Sequence, residues 1–271
     1  MDVRNAFLND DLTEEVYMQA LLGYSDYPDK VCLIRCALYG LKQAPQAWFA
    51  KFSSIVHQFG FSSSPHDTAL FIRRSDKSMI LLLLYVDDMI ITRDDHSGIS
   101  DFKQFLHQQF EMKDLGHLSY FLSLEVSFDS TDYYLSQAKY ASDLLSHAGL
   151  TNTKVVSTPL KMNACLTPLD DTPLSDATLY RQLVGSLVYL TVTRPNIAHA
   201  IHLVSQFLAA PFSTHYAAVI HILHYIKSTM FHGFHFSTYS TLDLCAYSDA
   251  DWAGDPIDRR FMLDIYYLSR L

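Results

Sequence analysis

The 271-residue chain has few of the features that mark disulfide-rich, zinc-binding or membrane proteins. It contains four cysteines, of which only Cys32 and Cys36 lie close together. A tetrahedral zinc site needs four ligands at short spacings, so these cysteines favour free or structural thiols. The apolar run from Met79 to Val86 is far shorter than the roughly 18 residues of a membrane span. The start, "MDVRNAFLNDD", lacks the pattern of a signal peptide. We expect an intracellular protein without a membrane partner.

Positive charge is also scarce, which at first argues against a nucleic-acid partner. Lys and Arg number 20 against 29 Asp and Glu, and the formal net charge is −9. Affinity for phosphate backbones comes mainly from Lys and Arg. The stretch from Lys30 to Lys77, however, has seven basic residues and two acidic ones. A local basic surface is therefore compatible with this composition, although such a stretch is more often a solvated face.

Apolar residues make up 49% of the chain and recur with helical and strand periods. Predicted strands cover 30–37, 69–73 and 79–92, the last folded back on itself, and a hairpin covers 120–135. Predicted helices cover residues around 48–59 and 99–110, then 136–149, 180–192, 195–209 and 214–230. Ser136 suits the N-cap position of the third of these helices. Three prolines interrupt residues 151–176, which we interpret as a connector. Strand character returns at 242–247.

Two adjacent carboxylates, Asp87 and Asp88, interrupt the apolar run "ILLLLYVDDMIIT". An ionised carboxylate in apolar surroundings costs several kcal/mol unless a partner charge or a metal compensates it. Either the two acids form the turn of a β-hairpin, or the tip of that hairpin also holds divalent cations, which prefer carboxylate oxygens. The two interpretations are compatible. Asp2 supplies a possible third carboxylate, and three such acids could hold two Mg²⁺ ions roughly 3.5 to 4 Å apart.

Six ordered motifs resemble those of copia-type retrotransposon reverse transcriptases. They are "DVRNAFL", "CALYGLKQAPQAWFAKF", "YVDD", "LGHLSYFLSLEV", "YRQLVGSLVYLTVTRPNIAHAI" and "AYSDADWAGDP", and they cover about residues 1 to 260. The resemblance implies an α+β fold: a polymerase palm with an antiparallel sheet and packed helices, a helical thumb and connection, and a truncated RNase H-like start. The implied domains are 1–135 (palm with a remnant of the fingers), 136–235 (thumb and connection) and 236–271 (RNase H-like start with a divergent tail).

The resemblance also implies roles for individual residues. The implied catalytic and metal-binding residues are Asp2, Asp87 and Asp88, around two Mg²⁺ ions or Mn²⁺ in their place. The implied nucleotide-binding residues are Phe7, under the sugar, and Gly40, Lys42 and Gln43 in the "GLKQAP" loop. Tyr85 would lie near the primer end, the stretch from Leu115 to Val126 resembles the hairpin that grips the primer, and Asp249 would be a first RNase H carboxylate. The implied partners are an RNA template, a DNA primer or hybrid, deoxynucleoside triphosphates and other polyprotein segments, in the cytoplasm, a virus-like particle or the nucleus.

The sequence departs from the family pattern at three places. Ser123 stands where family members carry Gly in "YFLG", and the tail after "DRR" diverges. The chain starts at the first motif, so we expect it to lack the fingers region that precedes this motif in the family. We expect no RNase H activity from this chain. Two functions remain open: an RNA-directed DNA polymerase (a nucleotidyltransferase), and a non-catalytic retrotransposon remnant that at most binds nucleic acid weakly. A nucleotide-sugar transferase with an acidic pair would leave "DVRNAF" and "GLKQAP" unexplained.

Overall fold

The computed structural model describes residues 1–9, 11–19, 30–75, 78–93, 97–150, 154–162, 166–167, 172–239, 243–250 and 263–270. The chain divides into two compact units, Met1–Leu118 and Ser119–Leu271. Each unit has its own hydrophobic core.

The first unit is built on a six-stranded antiparallel sheet with two helices. Its elements are β1 (Asp2–Val3), β2 (Asp11–Gln19), β3 (Val31–Cys36), α1 (Ala44–Gln58), β4 (Ser62–Ser63), β5 (Leu70–Ser75), β6 (Ser78–Tyr85), β7 (Asp88–Arg93), α2 (Ser97–Gln109) and β8 (Met112–Lys113), with a 3-10 turn at Ala6–Asn9. The sheet order is β4-β5-β6-β7-β1-β8, and β2 and β3 pair separately. The short strand β1 therefore lies between β7 and β8, two strands that come more than 80 positions later in the sequence.

The helix α1 follows directly from its sequence pattern. Its apolar residues recur at helical spacing, so Trp48, Phe52 and Val56 lie on one buried face. A proline stands in the first turn, where the missing N–H costs no hydrogen bond. Gly60 takes a φ of +90° just beyond the helix, a conformation that glycine adopts without strain. The buried face packs on the sheet and forms the core of the first unit.

The second unit combines a helical bundle with a four-stranded antiparallel sheet. Its elements are β9 (Tyr120–Phe121), β10 (Leu124–Phe128), β11 (Asp132–Ser136), α3 (Ala138–His147), α4 (Thr178–Leu190), α5 (Ala198–Ser205), α6 (Ser213–Ser228), β12 (Gly233–Ser237), β13 (Asp243–Ala250) and β14 (Leu263–Arg270), with a 3-10 turn at Pro195–Ile197. The sheet order is β12-β11-β10-β9, while β13 and β14 form a separate hairpin. Buried aliphatic side chains from all four helices form the core.

The connector between α3 and α4 is attached to the start of α6. The buried His215 ring donates from Nε2 to the carbonyl of Thr167 (3.0 Å), while its Nδ1 accepts from the backbone N–H of Phe212 (3.0 Å). The Ser213 amide donates to the carbonyl of Thr172 (2.9 Å), and Pro173 bridges to Phe212. One histidine therefore caps a helix and holds a segment 48 residues earlier in the chain.

The prediction of an α+β fold with an antiparallel sheet and packed helices is confirmed. The boundary between the two units follows residue 118, whereas the sequence placed domain boundaries at 135 and 235. Position 135 lies inside β11, which pairs with β10 on one side and with β12 on the other. The functional division into palm, thumb and RNase H-like start stays a prediction. Within the described residues, no helix is both long and apolar enough to cross a membrane.

Candidate active site

The predicted hairpin with acids at its tip is present, with one correction to its turn. Strands β6 and β7 pair antiparallel from Ile80↔Arg93 to Tyr85↔Asp88. The two-residue turn is therefore Val86–Asp87, and Asp88 is already the first residue of β7. The sequence had suggested Asp87 and Asp88 as the turn, because Asp tolerates turn conformations better than Val. The register, fixed by the alternating apolar residues of β6, moves the turn by one residue.

The turn is strained and is held by a buried tryptophan. Val86 has a φ of +54°, which is a genuine outlier for a β-branched residue. Such strain persists only where the surroundings impose it. The Trp48 indole, 2% exposed, donates from Nε1 to the Val86 carbonyl at 2.7 Å. The Asp87 carbonyl accepts from the Val3 amide at 2.8 Å. Two backbone carbonyls of the turn are therefore fixed from α1 and β1.

Asp2 lies beside the hairpin tip, although 85 positions separate it from Asp87. In the antiparallel register Asp2 is directly opposite Asp88 on one side and Lys113 on the other. Residues directly opposite each other in a sheet project from the same face, with Cα atoms roughly 4.5 to 5.5 Å apart. Tyr85, Asp88, Asp2 and Lys113 therefore form a row on one face across β6, β7, β1 and β8.

The acids repel one another at this position. Burial raises the pKa of Asp88 above its ordinary value, and the neighbouring charges of Asp87 and Asp2 raise it further. A cation bound between them would relieve this repulsion, and carboxylate oxygens suit Mg²⁺ and Mn²⁺. In the described part of the chain, however, no group of three or more His, Cys, Asp or Glu residues has a metal-ligating arrangement. The carboxylates are suitable ligands for a hard divalent cation, and the strand register brings Asp2 and Asp88 side by side. Their side chains are not, however, already arranged around a common metal position.

An aromatic pair borders the acids. Phe7, in the 3-10 turn after β1, is 7% exposed, and its ring centroid lies 4.6 Å from that of Tyr39. Tyr39 is half exposed, and burial together with the charges of Asp87 and Asp2 raises the pKa of its hydroxyl. Tyr39 was not among the residues predicted from the sequence, and its position directly before Gly40 was the available signal. Lys113 was not predicted either, because β8 is too short to show a period.

The remaining predicted residues lie elsewhere in the first unit or in the separate C-terminal hairpin. Gly40 has a φ of +95° in the loop between β3 and α1. Lys42 is exposed, and the Gln43 amide nitrogen donates to Glu14 at 3.3 Å. Tyr85 ends β6 and is 55% exposed. Asp249 lies in β13 opposite Asp264 of β14. The proposed functions of these residues stay predictions.

Comparison with known proteins agrees with this geometry. Residues 1–162 match the family model described as reverse transcriptase (RNA-dependent DNA polymerase). The chain belongs to the reverse transcriptase family.

Two plant relatives are retrovirus-related Pol polyproteins. The chain is 43% identical over 260 residues to that of transposon RE1 from Arabidopsis thaliana, covering 95% of this chain and 18% of the relative. It is 39% identical over 272 residues to that of transposon TNT 1-94 from Nicotiana tabacum, covering 96% and 20%. A putative transposon Ty5-1 protein of Saccharomyces cerevisiae is 31% identical over 254 residues, covering 92% and 82%.

The resemblance to copia-type Pol polyproteins is confirmed. The chain spans about a fifth of the length of the Pol polyproteins that it matches. The activity of those whole proteins is therefore a matter for proposal.

Proposed function

We propose that this reverse transcriptase chain is an RNA-directed DNA polymerase segment of a copia-type Pol polyprotein. The observation that carries the proposal is the strand register that puts Asp2 opposite Asp88 at the tip of the β6–β7 hairpin.

Asp2, Asp87 and Asp88 would hold two Mg²⁺ ions, or Mn²⁺ in their place. When bound, the ions supply activation of an attacking hydroxyl and charge stabilisation at a leaving oxygen. The carboxylates hold them, and the Trp48–Val86 hydrogen bond keeps Asp87 and Asp88 at a fixed position. The ammonium group of Lys113, in the same row, offers positive charge to a leaving pyrophosphate.

The residues around the acids would select and orient the substrates. The packed rings of Phe7 and Tyr39 would lie under a deoxyribose, where Phe7 would exclude a 2′-hydroxyl by steric contact. Gly40, Lys42 and Gln43 offer backbone and side-chain donors to the triphosphate. Tyr85, exposed beside Asp88, is placed to contact the primer end. The partners would be an RNA template, a DNA primer and deoxynucleoside triphosphates, in the cytoplasm, a virus-like particle or the nucleus.

A second candidate is a non-catalytic retrotransposon remnant that binds nucleic acid weakly. The observation that favours it is the lack of a preformed metal-ligand cluster among the described residues. The role of Asp249 in an RNase H site stays a prediction, and we do not propose RNase H activity for this chain.

Primer extension separates the two candidates. The full chain is incubated with poly(A) RNA, an oligo(dT) primer and dTTP, with Mg²⁺ or Mn²⁺. Metal ligation supplies several kcal/mol of transition-state stabilisation, so the Asp87→Asn, Asp88→Asn double variant should extend about 10³-fold more slowly. Asp143→Asn, an exposed acid of α3, is the matched control and should extend at the parent rate. Extension that survives in the double variant would refute the site, and a parent that binds but does not extend would favour the remnant.

A further inference from the structure

The hairpin β9–β10 turns through two residues in a strained conformation. Phe121 pairs with Leu124, so the turn consists of Leu122 and Ser123 alone. Both have positive φ, +48° and +61°. Two-residue hairpin turns with both central residues at positive φ belong to type I′ and strongly favour Asn-Gly or Gly-Gly. Leucine and serine lack that freedom, so something outside the turn must hold it.

A tyrosine of α4 contacts this turn directly. The Tyr189 hydroxyl donates a hydrogen bond to the Leu122 carbonyl. The Tyr189 ring is itself held, because it packs edge-on against the Tyr140 ring of α3, with centroids 5.3 Å apart. The Tyr140 hydroxyl in turn donates to the Ser186 carbonyl, one turn before Tyr189 in α4 (3.3 Å). The tip of the hairpin is therefore attached to α4, which is itself held by its buried core residues and by the contact between the Tyr189 and Tyr140 rings.

A carboxylate attaches the other end of the same hairpin to α3. Glu125 Oε2, in β10, accepts from the Lys139 amide at 2.9 Å and from the Ser136 hydroxyl at 3.4 Å. A negative charge there complements the positive end of the α3 dipole and satisfies an amide that has no partner within the helix. The sequence position of Ser136 predicts that this residue caps the helix, and that prediction is wrong. Gln137 occupies the N-cap position, but its side chain makes no hydrogen bond to the first turn of the helix. The capping oxygen comes from Glu125 instead.

We propose that Tyr189 is a positioning residue, which holds the strained Leu122–Ser123 turn so that the β9–β10 hairpin keeps a fixed place against α3 and α4. The hairpin lies in the segment that resembles the primer-gripping hairpin of the family, so its functional consequence rests on the proposed polymerase function. With Tyr189 in place, the helical part of the second unit and the primer-contacting turn move together. Ser123, which replaces the family's glycine, makes the turn depend on this hydrogen bond.

Hydrogen exchange tests the positioning without any need for activity. The variants are Tyr189→Phe, Ser123→Gly, the double variant and the control Tyr140→Phe, which removes a neighbouring hydroxyl that bonds a carbonyl within α4. The measurement is amide exchange of the 119–126 peptide, which includes the Val126 amide bonded to the Ser119 carbonyl. Tyr189→Phe should speed this exchange about fivefold, the loss expected for one hydrogen bond. Tyr140→Phe should leave it unchanged.

The double variant decides between positioning and simple packing. Because glycine accepts positive φ without strain, Ser123→Gly should restore most of the slow exchange to the Tyr189→Phe variant, with Leu122 keeping its own strain. An effect of Tyr189→Phe that is equally large in the parent and in the Ser123→Gly background would overturn the proposal, as would parent-like exchange in Tyr189→Phe.

Primer extension gives the functional arm. A misplaced primer end should lower kcat of Tyr189→Phe about tenfold, with KM for the nucleotide unchanged and with rescue by Ser123→Gly. Lost kcat that Ser123→Gly does not restore would overturn the positioning role. A parent that fails to extend would count against the proposed function alone, since the exchange experiment then still decides the role of Tyr189.

Discussion

Replacement of Trp48 by Phe tests how the β6–β7 hairpin is held. The substitution removes the 2.7 Å hydrogen bond to the Val86 carbonyl and leaves a small cavity against Phe52 and Phe110. The lost bond contributes about 1 kcal/mol, and a carbonyl left unpaired costs about 1 kcal/mol or more. The cavity adds about 1 kcal/mol. We expect about 3 kcal/mol of destabilisation, which lowers the melting temperature of the first unit by about 12 °C.

The assay is thermal unfolding followed by circular dichroism, with Phe52→Leu as the control. Phe52 is fully buried on the same face of α1 but makes no hydrogen bond to the turn. The control should cost only about 1 kcal/mol, from lost packing. Trp48→Phe should also weaken Mn²⁺ binding in an electron paramagnetic resonance titration, whereas Phe52→Leu should not. Equal melting shifts and equal Mn²⁺ affinity in the two variants would refute the view that Trp48 holds the strained turn.

Three further predictions concern charge, backbone space and a buried cation. Because the pKa of Asp88 is raised, folding makes this carboxyl bind its proton more tightly, and its contribution to stability falls as pH rises above the ordinary aspartate value of 3.8. Relative to the parent, Asp88→Asn should therefore gain melting temperature as pH rises from about 4 to 7, and a difference between variant and parent that does not change with pH would contradict the repulsion. Gly233→Ala should destabilise, since a Cβ there would lie 2.2 Å from the Leu135 carbonyl, whereas Gly185→Ala, in open space on α4, should raise stability by about 1 kcal/mol. Chemical denaturation should show a lower free energy of unfolding for Gly233→Ala and a higher one for Gly185→Ala. Arg194→Ala should cost about 2 to 4 kcal/mol, because the buried guanidinium donates to two groups after α6, and a loss below about 1 kcal/mol would show that they find other partners.

The sequence predicted the elements that depend on local pattern. The apolar period around Trp48 gave α1, and the two apolar runs around the acids gave the β6–β7 hairpin. The predicted hairpin at 120–135 corresponds to β10 and β11 of the structure. The break at Leu122–Ser123, which separates β9 from β10, was not predicted, because leucine and serine carry no turn signal.

Contacts between residues far apart in the sequence were predicted only through the family resemblance, or were not predicted at all. A two-residue strand is too short to show a period, so nothing in the local sequence indicates that β1 inserts between β7 and β8. The proximity of Asp2 to Asp88 was therefore predicted from the family motif and not from residue spacing. The hydrogen bond of Trp48 to Val86 joins residues 38 positions apart, and Trp48 was predicted only as a core residue. The turn itself was placed one residue late, since Asp is the better turn former and the register overrode that preference.

The attachment of the connector to α6 has a consequence for biosynthesis. Thr167 leaves the ribosome well before His215, yet its carbonyl is held by that histidine. The intervening loop must close before the contact stabilises anything, and loop closure costs entropy that grows with length. During synthesis the hairpins of the first unit can form at once, while the connector waits for α6 to emerge. We therefore expect chains stalled before residue 215 to expose the connector to proteolysis that released chains resist.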